Sequence, residues 1–314
     1  MPGIGVIYNR KAGRNRRDPK APYRLARRLG DHGTVVAPDS IDALMRAAED
    51  FRKFDIDVLG IAGGDGTNHV TLTGFRDVYG SVPLPTVALL RGGTMNTVAN
   101  AIGVPPGRPD GLLDRLVLRY LETPRVPTVE QWTIEVGPSL GFMWGLGTVA
   151  NFLTMYYESG VPSPWTGFKT LARGVGSAFV GGPYVKRMTR GVHAEVELDN
   201  GEHWGPRDFF AIAGATMREI GLGFKPFHRA HEVRGAFHLL GIYATPVQFV
   251  LDLPRIHRAE GMRDGRALES IVRRATVRTD QSQLQYMIDG DVATHPSGEI
   301  TVSIGPSVRI ATMN

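Results

Sequence analysis

The stretch Gly63-Gly64-Asp65-Gly66-Thr67 constrains the fold of this chain more than any other. It follows an apolar run over residues 57–62, which predicts a buried parallel strand, and it precedes residues 68–72, where a helix can start. Strand, glycine turn and helix N-terminus together form an anion site, because backbone N–H groups and the positive end of the helix dipole point at one spot. We therefore expect a nucleotide-phosphate site here. Asp65 would bind a magnesium ion or order the loop, since a carboxylate repels phosphate.

Two more junctions of the same kind flank this stretch. An apolar strand over residues 3–8 leads into Asn9-Arg10-Lys11-Ala12-Gly13, and another over residues 85–90 leads into Arg91-Gly92-Gly93-Thr94-Met95-Asn96. The first of these loops can be a solvated basic loop or a phosphate clamp. Strands and helices alternate to about residue 122, which indicates a doubly wound α/β domain. Right-handed crossovers bring the carboxyl ends of parallel strands to one edge, so we expect all three loops to meet there.

The pattern changes after Thr123. Short alternating strands follow, with Asp199-Asn200-Gly201 as a hairpin turn, and they predict a β-rich, antiparallel, sandwich-like second domain. Helices are expected at about 165–180 and 246–259, the second of them capped by Thr245 with Pro246 at its first position.

Composition limits the class of protein. The chain has 314 residues, 42% of them hydrophobic and 21% charged, which is typical of a soluble globular protein of one large or two ordinary domains. A net charge of +5 permits attraction to nucleotides or anionic membrane surfaces without requiring nucleic acid. The absence of cysteine excludes disulfides and thiolate metal sites and favours the cytosol. We expect no signal peptide and no membrane span.

Three motif matches have simpler interpretations. Gly137-Pro138-Ser139-Leu140-Gly141 fits a nucleophile elbow but joins two predicted strands, which favours a hairpin. Gly145-Leu146-Gly147-Thr148-Val149-Ala150 fits a dinucleotide fingerprint but has no acidic residue about twenty positions further on. His228, His231 and Glu232, with His238 nearby, have metal-like spacing without forming H-E-x-x-H, and structural histidines are commoner than ligands.

A late acidic pair, Asp289-Gly290-Asp291, follows an apolar strand. Its two carboxylates lie two residues apart at the end of that strand, and we expect them on one face, because residues i and i+2 of a strand share a face. One interpretation is an Asp-Gly turn with solvated carboxylates. The other is a general base with a helper or metal ligand.

The four segments together resemble the diacylglycerol kinase catalytic-domain family, which includes bacterial lipid kinases and sphingosine kinases and is distantly related to NAD kinases. Residues 9–13 resemble its N-P-x-x-G segment, residues 63–67 match its G-G-D-G-T loop, residues 92–96 resemble its G-T-x-N-D element, and residues 289–291 resemble its D-G-E/D site. The resemblance implies an α/β nucleotide-binding domain (residues 1–125, joined by about 300–314) and a β-rich lipid-side domain (126–299), with the active site between them.

Several positions depart from the family pattern. In the motifs, Arg10 stands in place of proline, Val70 in place of glutamate, Thr97 in place of aspartate, and Val149 in place of the aspartate of a G-F/L-G-x-D-A element. The family's structural magnesium site would fall at Lys225 and Arg234. Because arginine cannot ligate magnesium, we expect that structural site to be absent.

The resemblance also implies roles for individual residues. The predicted catalytic residues are Asp289 as general base, Asp65 and Asp291; Asp65 and Asp291 are also the predicted magnesium ligands. The predicted nucleotide-binding residues are Asn9, Arg10, Lys11, Gly63, Gly64, Asp65, Gly66, Thr67, Gly93, Thr94 and Asn96. The expected cofactors are ATP and Mg²⁺.

The predicted function is an ATP-dependent lipid kinase acting on a hydroxyl of diacylglycerol or a similar lipid. The alternatives are a kinase of a soluble hydroxyl compound such as NAD and a non-catalytic nucleotide- or lipid-binding relative. An apolar-aromatic stretch from Tyr156 to Val180, flanked by basic residues to Arg190, is either a helix packed on the sheet or a lipid-entry helix. We expect a cytoplasmic protein in transient contact with the inner membrane surface; a homodimer is compatible with the sequence.

Overall fold

A computed structural model describes residues 3–123, 125–158, 190–221 and 223–313. The chain divides into two compact units. Unit 1 comprises Met1–Gln131 with Ser307–Asn314, and unit 2 comprises Trp132–Pro306.

Unit 1 is built on a parallel sheet with the strand order β2-β1-β3-β4. The end of the chain's final strand adds to β4 in parallel, with Ile310 opposite Val87. The strands are β1 (Ile4–Tyr8), β2 (Gly33–Val36), β3 (Val58–Ala62) and β4 (Thr86–Leu89), and the helices are α1 (Ala21–Leu29), α2 (Ile41–Lys53), α3 (Asp65–Tyr79), α4 (Thr97–Ala101) and α5 (Pro109–Glu122), with short 3-10 turns at Asn15–Arg17 and Gly30–His32.

The local sequence explains these elements. Every residue of β1, β3 and β4 is buried, which suits the continuous apolar runs of a parallel sheet covered on both faces. Ser40 caps α2 by accepting a hydrogen bond from the Ala43 N–H at 3.2 Å. Since β1, β3 and β4 are neighbours and parallel, the loops that follow them leave the sheet at the same edge.

Unit 2 consists of two antiparallel sheets. One has the order β12-β11-β10-β7-β14-β15; the other joins β16, β13, β8 and β9, with β5 paired to β16 and β6. The elements are β5 (Thr128–Val136), β6 (Ser139–Gly141), β7 (Met143–Gly147), α6 (Thr148–Glu158), β8 (Val192–Leu198), β9 (His203–Phe209), β10 (Ala211–Ala215), β11 (Phe237–Ile242), α7 (Pro246–His257), β12 (Ala267–Val272), β13 (Arg274–Thr279), β14 (Leu284–Ile288), β15 (Asp291–His295) and β16 (Glu299–Ala311).

The two sheets of unit 2 share one apolar core. It contains Trp144 and Phe237 from one sheet and Val196, Val277 and Val302 from the other, all fully buried. The predicted fold class, a doubly wound α/β domain followed by an antiparallel sandwich-like domain, is therefore confirmed.

Several local predictions in unit 2 can be compared with the structure. The G-x-S-x-G segment is a hairpin turn between β5 and β6, as expected. Thr245 caps α7, as expected, and it also pairs with Gln248 in a capping box. Helix α6 was missed, because the strand-rich surroundings hid the strand-to-helix change at Gly147, where φ is +68°. The helix expected at about 165–180 lies outside the described residues.

None of the helices in the described part of the chain is long and apolar enough to cross a membrane.

Candidate active-site residues

Three loops of unit 1 meet at the carboxyl ends of β1, β3 and β4. We call residues 9–15 the first loop, 63–67 the second and 91–96 the third. The Asn9 N–H donates to the carbonyl of Ala62 at 3.1 Å, and the Arg14 N–H donates to the carbonyl of Gly92 at 3.1 Å. The first loop therefore bonds both to the strand end that precedes the second loop and to the third loop.

The loops approach so closely that side chains would not fit between them. A Cβ on Gly93 would lie closer than 3.0 Å to the Cα of Gly64, and a Cβ on Gly64 would lie 3.0 Å from the Cα of Gly93. A Cβ on Gly13 would collide with the Thr94 hydroxyl. Glycine is needed at positions 64 and 93 because the second and third loops touch backbone to backbone there, and at position 13 because the Thr94 side chain fills the space.

Asp65 begins helix α3 and joins the second loop to helix α4. Its carboxylate accepts hydrogen bonds from the N–H groups of Thr97 at 2.9 Å and Val98 at 3.0 Å, the first two residues of α4. Burial raises the pKa of Asp65 above its ordinary value, although these N–H donors act in the opposite direction. The contacts fit the loop-ordering role, and each oxygen keeps lone pairs for a further ligand.

Two polar side chains shape the turns. The buried Asn96 has a φ of +51°, and its amide both accepts from the Gly93 N–H and donates to the Gly93 carbonyl, each at 3.0 Å. The Thr67 hydroxyl accepts from Asn9 Nδ2 at 2.8 Å and from the Gly64 N–H at 3.3 Å. Asn96 thus uses its amide inside the third loop, whereas the Thr67 hydroxyl hydrogen remains available to donate.

The basic residues of the first loop lie at its surface. Arg10 and Lys11 are exposed, and the Lys11 N–H donates to Asn9 Oδ1 at 2.8 Å, which fixes a local turn. Their side chains can therefore reach an anion bound outside the sheet edge.

Sequence reasoning missed two residues of this cluster. Asn15 is buried, and its Nδ2 donates to the carbonyls of Asn9 at 2.9 Å and Ala62 at 2.7 Å. Arg91 follows β4 with a φ of +41° and donates to the carbonyl of Val104. Burial lowers the pKa of Arg91, with the nearby Arg14 adding to this effect. The position of Arg91 two residues after the buried strand β4 was the signal that could have identified it.

Asp289 lies in unit 2, in the two-residue hairpin between β14 and β15. Asp289 and Gly290 have φ values of +44° and +88°, as a type I′ turn requires. The Asp289 side chain is buried and accepts hydrogen bonds from the N–H groups of Phe142 and Met143, at 2.9 and 3.0 Å and at 2.9 Å respectively. The turn was foreseen as one interpretation, but the carboxylate is enclosed rather than solvated.

The expectation that Asp289 and Asp291 share one strand face is wrong. The chain reverses at Asp289-Gly290, and Asp291 is the first residue of the return strand, opposite Ile288. Their separation by two residues therefore does not place both carboxylates on one face. The positive φ of Asp289 is the reason, since it ends the strand one residue earlier.

The lipid-side residues predicted from the sequence fall largely outside the described part of the chain. The structure describes α6 as far as Glu158 and resumes at Arg190. Trp165, Phe168, Leu171 and their neighbours lie between those limits.

A parallel sheet with glycine loops touching at the carboxyl ends of adjacent strands defines the class of open α/β folds that bind ligands at that edge. Within that class, residues 3–127 match the family model described as the diacylglycerol kinase catalytic domain. The resemblance to this family of kinases, which are phosphotransferases, is therefore confirmed over these residues. No curated protein matches the sequence significantly.

Solved structures with this fold align along nearly the full length of the chain. A diacylglycerol kinase from Bacillus anthracis str. Sterne superimposes with a TM-score of 0.65 at 14% identity, covering 99% of this chain and 96% of its own. Yeast NADH kinase complexed with NADH gives a TM-score of 0.50 at 12% identity, covering 99% of this chain and 83% of its own. At these identities the comparisons establish the fold alone.

Proposed function

We propose that this protein is an ATP-dependent lipid kinase that phosphorylates a hydroxyl of diacylglycerol or a similar lipid. The observation that carries the proposal is the contact of three glycine-containing loops at one sheet edge, within the part of the chain that matches the diacylglycerol kinase catalytic domain. Backbone N–H groups of the second and third loops would hold the nucleotide phosphates, and Thr67 and Thr94 would add hydrogen bonds. Arg10 and Lys11 would neutralise charge that develops during transfer.

The donor chemistry fits Mg²⁺, which prefers carboxylate oxygens together with substrate phosphates. Asp65 and Asp291 would hold it, since Asp65 keeps lone pairs beyond its two N–H bonds. When bound, the ion would neutralise phosphate charge.

Asp289 is the proposed general base. The oxygen of the acceptor hydroxyl would bond to the γ-phosphorus, ADP would leave, and the hydroxyl proton would pass to the Asp289 carboxylate. The N–H groups of Phe142 and Met143 would hold that carboxylate in one orientation.

The reaction can be tested with labelled ATP and magnesium offered in parallel to diacylglycerol, other hydroxyl lipids and NAD. The proposal expects label in a lipid product. Label in NAD alone would contradict the lipid-kinase proposal and indicate a kinase of a soluble acceptor. Nucleotide binding without transfer of label to any acceptor would indicate a non-catalytic relative.

We also propose transient contact with an anionic membrane surface on the cytoplasmic side, with no nucleic-acid partner; a homodimer is compatible with this. The net charge of +5 supports the contact. Co-sedimentation with vesicles should increase with their anionic lipid content, and sedimentation that does not respond to it would contradict the contact.

A further inference from the structure

Two histidines and a glutamate of unit 2 converge outside the candidate active-site residues. His228 lies in the loop over residues 216–236 that connects β10 to β11, His238 is the second residue of β11, and Glu269 lies on β12. In the antiparallel register, His238 is opposite Ile271 and Leu240 is opposite Glu269. His238 and Glu269 are therefore diagonal neighbours on one face of the sheet, and the loop brings His228 to them.

The nitrogen and oxygen atoms of the three side chains lie at distances from which they could share a cation. Glu269 Oε2 lies 3.3 Å from His238 Nε2 and 3.7 Å from His228 Nε2, and one ligand atom from each of the three residues lies within 4.8 Å of the others. Ligand atoms about 2.0–2.2 Å from a tetrahedral zinc ion are roughly 3.3 Å apart. The cluster thus has the spacing of three zinc ligands that need only small adjustments.

Nε2 of His228 faces the Glu269 carboxylate and can act as a metal ligand. In the neutral ring the proton lies on Nδ1, because Nδ1 is 3.3 Å from the carbonyl of Pro226 and a carbonyl only accepts. The Nε2 lone pair then faces the Glu269 carboxylate at 3.7 Å. Two electron-rich atoms in this position favour a positive ion between them.

His238 supplies an independent indication. Its side chain is 0% exposed, and within the described residues neither ring nitrogen makes a hydrogen bond of acceptable geometry. A buried imidazole without such bonds is costly, and a metal bond to Nε2 would offset that cost.

The surroundings accommodate a cation. Gly261, at a φ of +72°, lies against the cluster, and a Cβ there would come within 2.9 Å of His228 Cε1 and 3.6 Å of Glu269 Oε1. The nearby guanidinium of Arg229 is paired with Glu232 at 2.9–3.0 Å, which balances its charge. His228 and Glu269 are 23% and 22% exposed, so the ion can enter from solvent.

We propose that His228, His238 and Glu269 form a site for a divalent transition metal of the Zn²⁺ class, with a fourth position open to water. Two imidazoles and one carboxylate suit zinc rather than magnesium, which prefers oxygen ligands alone. The ion ties the loop over residues 216–236 to β11 and β12. This site differs from the structural magnesium site that Arg234 was expected to abolish. His231 and Glu232, which the sequence spacing suggested, are not among its ligands.

The test uses the full chain without a polyhistidine tag, freed of metal with a chelator and titrated with Zn²⁺ in a calorimeter and with Co²⁺ in a spectrophotometer. We expect one Zn²⁺ per chain, a higher melting temperature, and visible Co²⁺ absorption of tetrahedral or five-coordinate type. His228→Ala should weaken zinc binding by more than about 100-fold, since loss of even an outer partner costs 10- to 100-fold.

The matched control is His231→Ala, an exposed histidine in the same loop, which should bind zinc as the wild type does. His228 is partly exposed and lies in a loop, so its variant should fold; circular dichroism of the metal-free protein checks this. Glu269→Gln, which keeps size and removes charge, should lose the Co²⁺ spectrum. The proposal is overturned if the wild type binds no zinc, or if His231→Ala loses as much affinity as His228→Ala.

Discussion

Asp65 in unit 1 and Asp289 in unit 2 perform the same local task in different settings. Each carboxylate accepts backbone N–H groups of two consecutive residues from another segment, Thr97 and Val98 for Asp65 and Phe142 and Met143 for Asp289. Asp65 does so from the first turn of a helix, whereas Asp289 does so from a tight turn with positive φ. A carboxylate at a family motif position can therefore serve the fold, and stability and turnover must be measured separately.

The largest effect is expected for Asp289→Asn. Loss of a general base lowers turnover by about 10²- to 10⁴-fold, while ATP affinity should change little because the loops proposed to bind the phosphates belong to unit 1. Asparagine tolerates the positive φ, so the turn should persist. Kinase rates and ATP titrations of the same samples test this, with Asp291→Asn as the comparison. Near wild-type turnover would show that Asp289 only serves the fold.

Gly93→Ala is expected to weaken ATP binding. The added Cβ would force the second and third loops apart at a cost of about 1–3 kcal/mol, expressed as roughly a 5- to 150-fold loss of affinity. The matched control is Gly111→Ala in helix α5, where a Cβ meets nothing within 4 Å and ATP binding should not change. Equal ATP affinity of the two variants would show that the contact between the second and third loops does not contribute to nucleotide binding.

Asp65→Asn should destabilise the protein by about 1–3 kcal/mol, because the amide has only one acceptor oxygen and its NH₂ group would face one of the two N–H donors. The penalty should grow as the pH falls. Burial raises the pKa of Asp65 above its unfolded value of 3.8. As the pH falls between these two pKa values, the native state binds a proton that the unfolded state does not. The free energy of unfolding of the wild type therefore rises relative to that of the variant, which has no titrating group there. Urea unfolding of both proteins at pH 7 and about 4.5 measures the difference; a penalty that shrinks towards acid pH would contradict it.

The smallest effect is expected at Thr67. Thr67→Val removes the acceptor for Asn9 Nδ2 and the Gly64 N–H and should lower the free energy of unfolding by about 1–2 kcal/mol. Thr67→Ser keeps the hydroxyl and should remain close to the wild type. If both variants unfold alike in urea, the hydroxyl does not join the first and second loops.

The sequence predicted the features that depend on local signals. Continuous apolar runs identified β1, β3 and β4, and their parallel order followed from the alternation with helices. The glycine-rich motifs identified the second and third loops, because the backbone contact between these loops requires glycine.

Features that depend on distant pairing could not be predicted. The cluster of His228, His238 and Glu269 follows from the register of β11 against β12, which no short motif encodes. The enclosure of Asp289 depends on Phe142 and Met143, nearly 150 positions earlier. The helical start at Thr148 was also not predicted, because β7 passes directly into α6 at Gly147, one residue with a positive φ.

The central claim is that the three loops of unit 1 bind the phosphates of a nucleotide. Calorimetric titration of the full chain with ATP and with adenosine, both with magnesium, tests it most directly. The account predicts that ATP binds and that adenosine binds about tenfold or more weakly, a difference of about 1.4 kcal/mol or greater. Adenosine binding as tightly as ATP, or no binding of ATP, would contradict the claim.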